Sequence, residues 1–198
     1  MTGTTLSLPA VSILGRQGQR GSYILRMQVQ EALYLNFGKF KGGKVIAVPK
    51  GECLYVGSAL GRGAMGLARR LIRHATRTGS RQPHPIRVAI LEAFATGEQE
   101  ANALLPKHGK RLHWNVDHLL DQAQVDLTHI IAIRSPLRLE ARLGRLLEQD
   151  PHTHILEKGL GANDVPGNTH LLAVRAPEAW WTALPEQVSR LLAEPQPK

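Results

Sequence analysis

ECLYVGSALGRGAMGLARRLIRHATR (Glu52–Arg77) runs from a short apolar segment through a glycine-rich turn into a segment crowded with arginines. Glu52–Val56 suits a strand. Met65, Ala68, Leu71, Ile72 and Ala75 recur at helical spacing and predict a helix from about Ala64 to Thr78, stopped by Gly79. The turn spells Gly61-Arg62-Gly63-Ala64-Met65-Gly66, a G-x-G-x-x-G string between strand and helix. A dinucleotide-binding protein uses such a string, and here Ile86–Glu92 would be its second strand, with Glu92 offered to a ribose hydroxyl. Two features oppose that reading. Ser58, Ala59 and Leu60 separate the strand end from the first glycine, and the preceding chain reads as antiparallel strands rather than parallel βαβ units. The other reading has the same segment present Tyr55, Arg70 and His74 to a nucleic-acid phosphate.

Upstream, Gly21–Gln30 alternates, with Tyr23, Leu25 and Met27 on one side. Glu31–Phe37 and Lys44–Val48 are further strand candidates around a Gly42-Gly43 turn, which predicts an antiparallel meander. Downstream, Ile86–Phe94 suits strand or helix equally, because short apolar runs carry no decisive period. Gln99–Leu105 and Trp114–Ala123 read as helices and Val125–Arg134 as a strand. Leu137–Gln149 is an amphipathic helix with Leu139, Leu143, Leu146 and Leu147 inward. Pro151–Asn168 reads as loop, Thr169–Val174 as an edge strand and Pro177–Ala193 as a closing helix. Residues 1–17 read as a flexible lead-in, and the final EPQPK as disordered by composition. The expected fold is α/β of the α+β kind: a small mixed, mainly antiparallel sheet flanked by helices over 18–176, then a C-terminal helix and tail over 177–198.

The 198 residues are 42% hydrophobic but only 5% aromatic, enough for one compact domain with an aliphatic core. Lys and Arg number 25 against 16 acidic residues, giving +9, an excess that favours polyanionic partners. The basic residues cluster: Arg62, Arg69, Arg70, Arg73, Arg77 and Arg81 in one segment, Lys107, Lys110 and Arg111 in another. No apolar run approaches the ~20 residues of a membrane span, and Met1–Gln17 lacks a signal-peptide core. With the single cysteine Cys53 excluding an internal disulfide and a thiol-only metal site, a cytoplasmic location is expected. His113, His118, His152 and His154 form no complete ligand set at zinc spacing. Cys53 reads as a buried small hydrophobe, and Trp180-Trp181 as core or interface.

Gly21-Ser22-Tyr23 and Tyr55-Val56-Gly57 together resemble the paired tripeptides that name the GIY-YIG nuclease superfamily. In that superfamily the tripeptides lie on neighbouring strands, followed by a helix bearing an arginine and often a histidine one turn later. Arg70-Leu71-Ile72-Arg73-His74 is similar to that pattern. KRLHWNVDHLL (Lys110–Leu120), GLGAND (Gly159–Asp164) and His170-Leu171-Leu172 resemble the marks of a little-characterised branch whose members sometimes occur fused to endonuclease-III-type repair glycosylases. The likeness spans Gly21–Val174 and has two departures: an apparent insertion at about 79–108, and Asn115 where the branch usually has histidine.

The resemblance implies an endonuclease that cleaves DNA phosphodiesters with Mg²⁺ or Mn²⁺, with a DNA-repair protein as a partner. Tyr23 and Tyr55 would flank the reacting centre, where a phenol can orient the attacking water or take its proton. Arg70 would fork onto phosphate oxygens, and His74 would exchange a proton. One carboxylate suits a hard divalent cation that keeps most of its waters. The branch points to Glu140 for it, the wider superfamily to Glu100. Arg62, Arg69, Arg73, Arg77, Lys110 and Arg111 are the expected nucleic-acid contacts, and His113, Asp117, Asn163, Asp164 and His170 are further polar site positions. A noncatalytic nucleic-acid-binding module on the same fold is the alternative, and a dinucleotide-binding protein the third reading.

Overall fold

A computed structural model describes residues 9–16, 18–61, 66–161 and 168–193. Strands β1 (Val11–Leu14), β2 (Gly21–Val29), β3 (Leu33–Asn36), β4 (Val45–Val48) and β5 (Gly51–Ala59) precede helices α1 (Gly66–His74), α2 (Arg87–Phe94), α3 (Glu98–Leu104) and α4 (Asn115–Leu120). Then come β6 (Val125–Arg134), α5 (Glu140–Glu148), β7 (Thr153–Ile155), β8 (Leu171–Val174) and α6 (Glu178–Ala193). The fold is α+β. Six strands form one sheet in the order β1-β6-β2-β5-β8-β7, antiparallel except for the parallel β1–β6 pair, while β3 and β4 form a separate hairpin.

The central strands are buried on both faces, so their side chains divide between two cores. Tyr23, Leu25, Met27, Cys53 and Tyr55 point to one face, where Leu67, Leu71, Ile72, Ile90, Leu104, Val116 and Leu120 of α1–α4 cover them. Ile24, Leu54, Val56, Ile131 and Ile133 point to the other, under Leu139, which precedes α5, Leu143 and Leu147 of α5, and Trp181, Leu184 and Val188 of α6. The buried Cys53 and the tryptophan pair in the core agree with the sequence reading.

Several boundaries differ from the sequence reading, each for a physical reason. The expected loose lead-in supplies β1, because β6 exposes a backbone edge that Val11–Leu14 satisfies. The expected meander is interrupted: β2 pairs directly with β5, and β3–β4 loops out between them. Ile86–Phe94 is helical from Arg87, with Ile86 and Ile90 buried one turn apart while Val88 stays exposed. Thr169–Val174 is not an edge, since Thr153–Ile155 from the expected loop pairs outside it. Residues 62–65 of the glycine-rich turn and the expected disordered tail lie outside the described residues. The neighbours of β5, β2 and β8, are both antiparallel, so the strand feeding that turn is in no parallel βαβ unit.

Candidate active site

Register brings the two tyrosines together. Tyr23 pairs with Gly57 and Leu25 with Tyr55, so the two phenols sit on one face of adjacent strands with ring centroids 6.3 Å apart. Gly57 makes this possible: a Cβ there would lie 2.5 Å from the Tyr23 ring and hydroxyl. The third element of the Tyr-Val-Gly tripeptide is therefore glycine because an aromatic ring crosses its backbone.

The amphipathic α1 runs over these phenols. His74, fully buried, places Nε2 2.8 Å from the Tyr23 hydroxyl, and its Nδ1 lies 3.4 Å from Asp117 Oδ1. Burial pushes the His74 imidazole down to about 4, against the opposing pull of Asp117, so the ring is neutral near pH 7. Burial likewise raises both phenols well above the usual range, with Arg70 opposing it at each. Arg70 is stacked on Trp114, its Cζ 3.7 Å from the ring centroid.

Arg70, Tyr55 and Trp114 line a cleft of ≈ 200 Å³ together with Ser58, His113, Asn115, Glu140 and Gly161. Glu140, at the first turn of α5, receives the Ser58 hydroxyl on Oε2 and faces His170 Nδ1 at 3.1 Å with Oε1. Burial would raise its carboxyl; His170, Ser58 and Arg70 outweigh that and hold it below the ordinary carboxylate range. Gly144, one turn along α5, leaves room for the His170 ring, which a Cβ would meet at 2.8 Å. Among the described residues no three His, Cys, Asp or Glu side chains form a metal-binding group. Besides the His113 imidazole, the donors around this cleft are one ionised carboxylate, two hydroxyls and a carboxamide, hard oxygens that fit Mg²⁺ or Mn²⁺ retaining its own waters.

The sequence-derived site residues separate into groups. Tyr55, Arg70, Glu140 and His113 reach the cleft, whereas Tyr23, His74, Asp117 and His170 lie buried behind it. Glu100 sits elsewhere, in a surface pocket with Glu92 and Arg134, its carboxylate accepting from Thr96. Arg73 donates to Asp117 at 3.0 Å and to the Arg111 carbonyl, and Arg77 to the Val125 carbonyl at 2.6 Å. Lys110, expected at a phosphate, has no exposed side-chain surface and lies 3.3 Å from Asp117 Oδ1. Its position beside a buried carboxylate makes it an internal counter-ion. Arg69 and Arg111 are exposed. Arg62, Asn163 and Asp164 lie outside the described residues. Trp114 and Ser58 were missed by sequence reasoning, although Trp114 stands inside the Lys110–Leu120 stretch and Ser58 directly follows the Tyr55-Val56-Gly57 tripeptide.

Sequence comparison adds one family. That described as Domain of unknown function DUF123 matches residues 22–193, and the chain belongs to it. No curated protein and no solved structure matches the chain.

Proposed function

We propose that this DUF123 protein is a GIY-YIG-type, divalent-metal-dependent endonuclease that cleaves DNA phosphodiesters in the cytoplasm, working in DNA repair beside a partner protein. The observation that carries this reading is convergence: a phenol, a guanidinium and a charged carboxylate from three separate elements line one cleft. No helix among the described residues is long and apolar enough to cross a membrane.

Arg70, always charged and stacked on Trp114, forks onto the scissile phosphate and offsets the charge that develops there. Tyr55 lines the cleft and orients the attacking water. Glu140 would hold Mg²⁺ or Mn²⁺, with Ser58 and His170 fixing its carboxylate; the cation supplies charge neutralisation at the phosphate. Tyr23 and His74 support the centre from behind.

Plasmid nicking in Mg²⁺ or Mn²⁺ tests this. Arg70→Ala should slow nicking by about 10²–10³-fold, the scale of a lost transition-state donor, and Glu140→Ala should slow it at least as far. Cleavage indifferent to both changes defeats the site assignment. One observation favours a second reading, a noncatalytic nucleic-acid-binding module: Tyr55 is only 4% exposed and Tyr23 1%. Salt-sensitive DNA binding without nicking by the wild type would select that reading.

A further inference from the structure

The cleft rests on a buried carboxylate that does not itself line it. Asp117, fully buried in α4, uses its two oxygens differently. Oδ2 accepts from the backbone N–H groups of His113 at 2.9 Å and Trp114 at 3.1 Å, and from Arg73 at 3.0 Å. Three donors saturate it. Oδ1 faces His74 Nδ1 at 3.4 Å and Lys110 Nζ at 3.3 Å. An unprotonated Nδ1 would oppose its lone pair to a carboxylate oxygen, so the neutral ring carries its proton there. Nε2 is then the acceptor, and the Tyr23 hydroxyl, 2.8 Å away, must donate to it. That leaves the lone pairs of the phenol oxygen open to the positive charge of Arg70, which opposes the rise of the Tyr23 phenol that burial causes.

We propose that Asp117 is the positioning residue for Arg70, acting on it from two sides at once. One route runs through the buried ring: Asp117 sets the His74 tautomer, His74 orients the Tyr23 hydroxyl, and the phenol oxygen turns its lone pairs to the Arg70 charge. The other runs through stacking. By capping the Trp114 backbone, Asp117 fixes the indole on which Arg70 lies, and the same indole meets Arg73, itself bonded to Asp117. Burial alone would favour protonation of this carboxylate; His74, then the charge of Lys110 and the His113 N–H, outweigh it, with Arg73 3.0 Å away as a further cation. A single anion thereby pre-organises the cation that meets the phosphate. The consequence for catalysis rests on the phosphate-binding role assigned to Arg70; the hydrogen-bond wiring does not.

Nitrogen NMR of the full chain, without metal or nucleic acid, separates the two. Wild type should show His74 protonated on Nδ1, with the Arg70 Nε–H giving a distinct, slowly exchanging signal. Asp117→Asn presents an amide of the same shape that can donate to Nδ1. It should move the His74 proton to Nε2 and merge the Arg70 signal with those of mobile arginines. A wild-type proton on Nε2 overturns the proposal and needs no variant, so it stands even if Asp117→Asn fails to fold. A folded Asp117→Asn with both signals unchanged overturns it as well. Wild-type protein with the Nδ1 proton but no nicking would defeat the nuclease reading and leave this wiring intact.

Discussion

At the scale of single residues, the cleft depends on close approaches that leave little slack. Gly57→Ala would drive a methyl into the Tyr23 ring, and the paired strands of β2 and β5 give it no direction of escape. We expect the change to cost about 1–3 kcal/mol in urea unfolding, the usual range for overpacking, and to slow nicking by displacing Tyr23. Trp114→Ala has a different signature. Arg70 would lose its platform while α1 keeps its own core packing at Leu67, Leu71 and Ile72, so catalytic efficiency should fall more than stability does. Kinetics and unfolding on the same preparation check that contrast. The tyrosines, Arg70 and His74 were legible in the sequence because their spacing survives as spacing in the fold. The roles of Trp114 and Ser58 were not, because each acts on a partner far along the chain, Arg70 in one case and Glu140 in the other.

At the scale of elements, the segment between α1 and α4 is more than an appended insertion. His84, buried and without exposed surface, accepts the Leu127 N–H on Nδ1 at 3.1 Å and, through Nε2, donates to the Leu120 carbonyl at 2.9 Å. It ties the end of α4 to the start of β6. Burial, then the charge of Arg77, push its imidazole down to about 4, as burial also does for His74. The unfolded chain binds protons at both histidines near pH 6.5, whereas the folded chain does not until about pH 4. Stability should therefore fall as pH drops from 6.5 toward 4, by up to about 3 kcal/mol for each histidine, and level off below. A folded His84→Gln variant, followed by thermal unfolding across that window, should show a shallower dependence; an unchanged slope would remove His84 from the account. No local pattern announced this residue, since its two partners are the ends of elements at Leu120 and Leu127. The strand edges were hidden for a similar reason: β1 and β7 exist only because β6 and β8 offer them backbone partners.

At the scale of the molecule, the formal charge of +9 overstates the basic surface. Arg73 and Arg77 bond to internal carbonyls and carboxylates, Lys110 is buried, and Arg26 spans Glu52 and Glu178 to hold α6 against the sheet. Lys107 and Arg111 remain exposed. Replacing either by alanine should lower the log–log salt slope of DNA binding by about 0.9 for each phosphate that the side chain neutralises. Lys110→Met should leave that slope unchanged, and titrations at several salt concentrations distinguish the two classes of cation. The antiparallel, helix-flanked architecture was readable from strand spacing and turn residues, whereas the division of cations between surface and interior needed the fold.

The claim on which the rest depends is that Arg70 and Glu140 serve a single reacting centre. Nicking rates for Arg70→Ala, Glu140→Ala and the double variant, measured on folded protein under one metal concentration, test it most directly. Groups that act as a unit lose most of their effect with the first removal, so the double variant should be no slower than the slower single variant. Losses that multiply, or nicking that neither change alters, would contradict it.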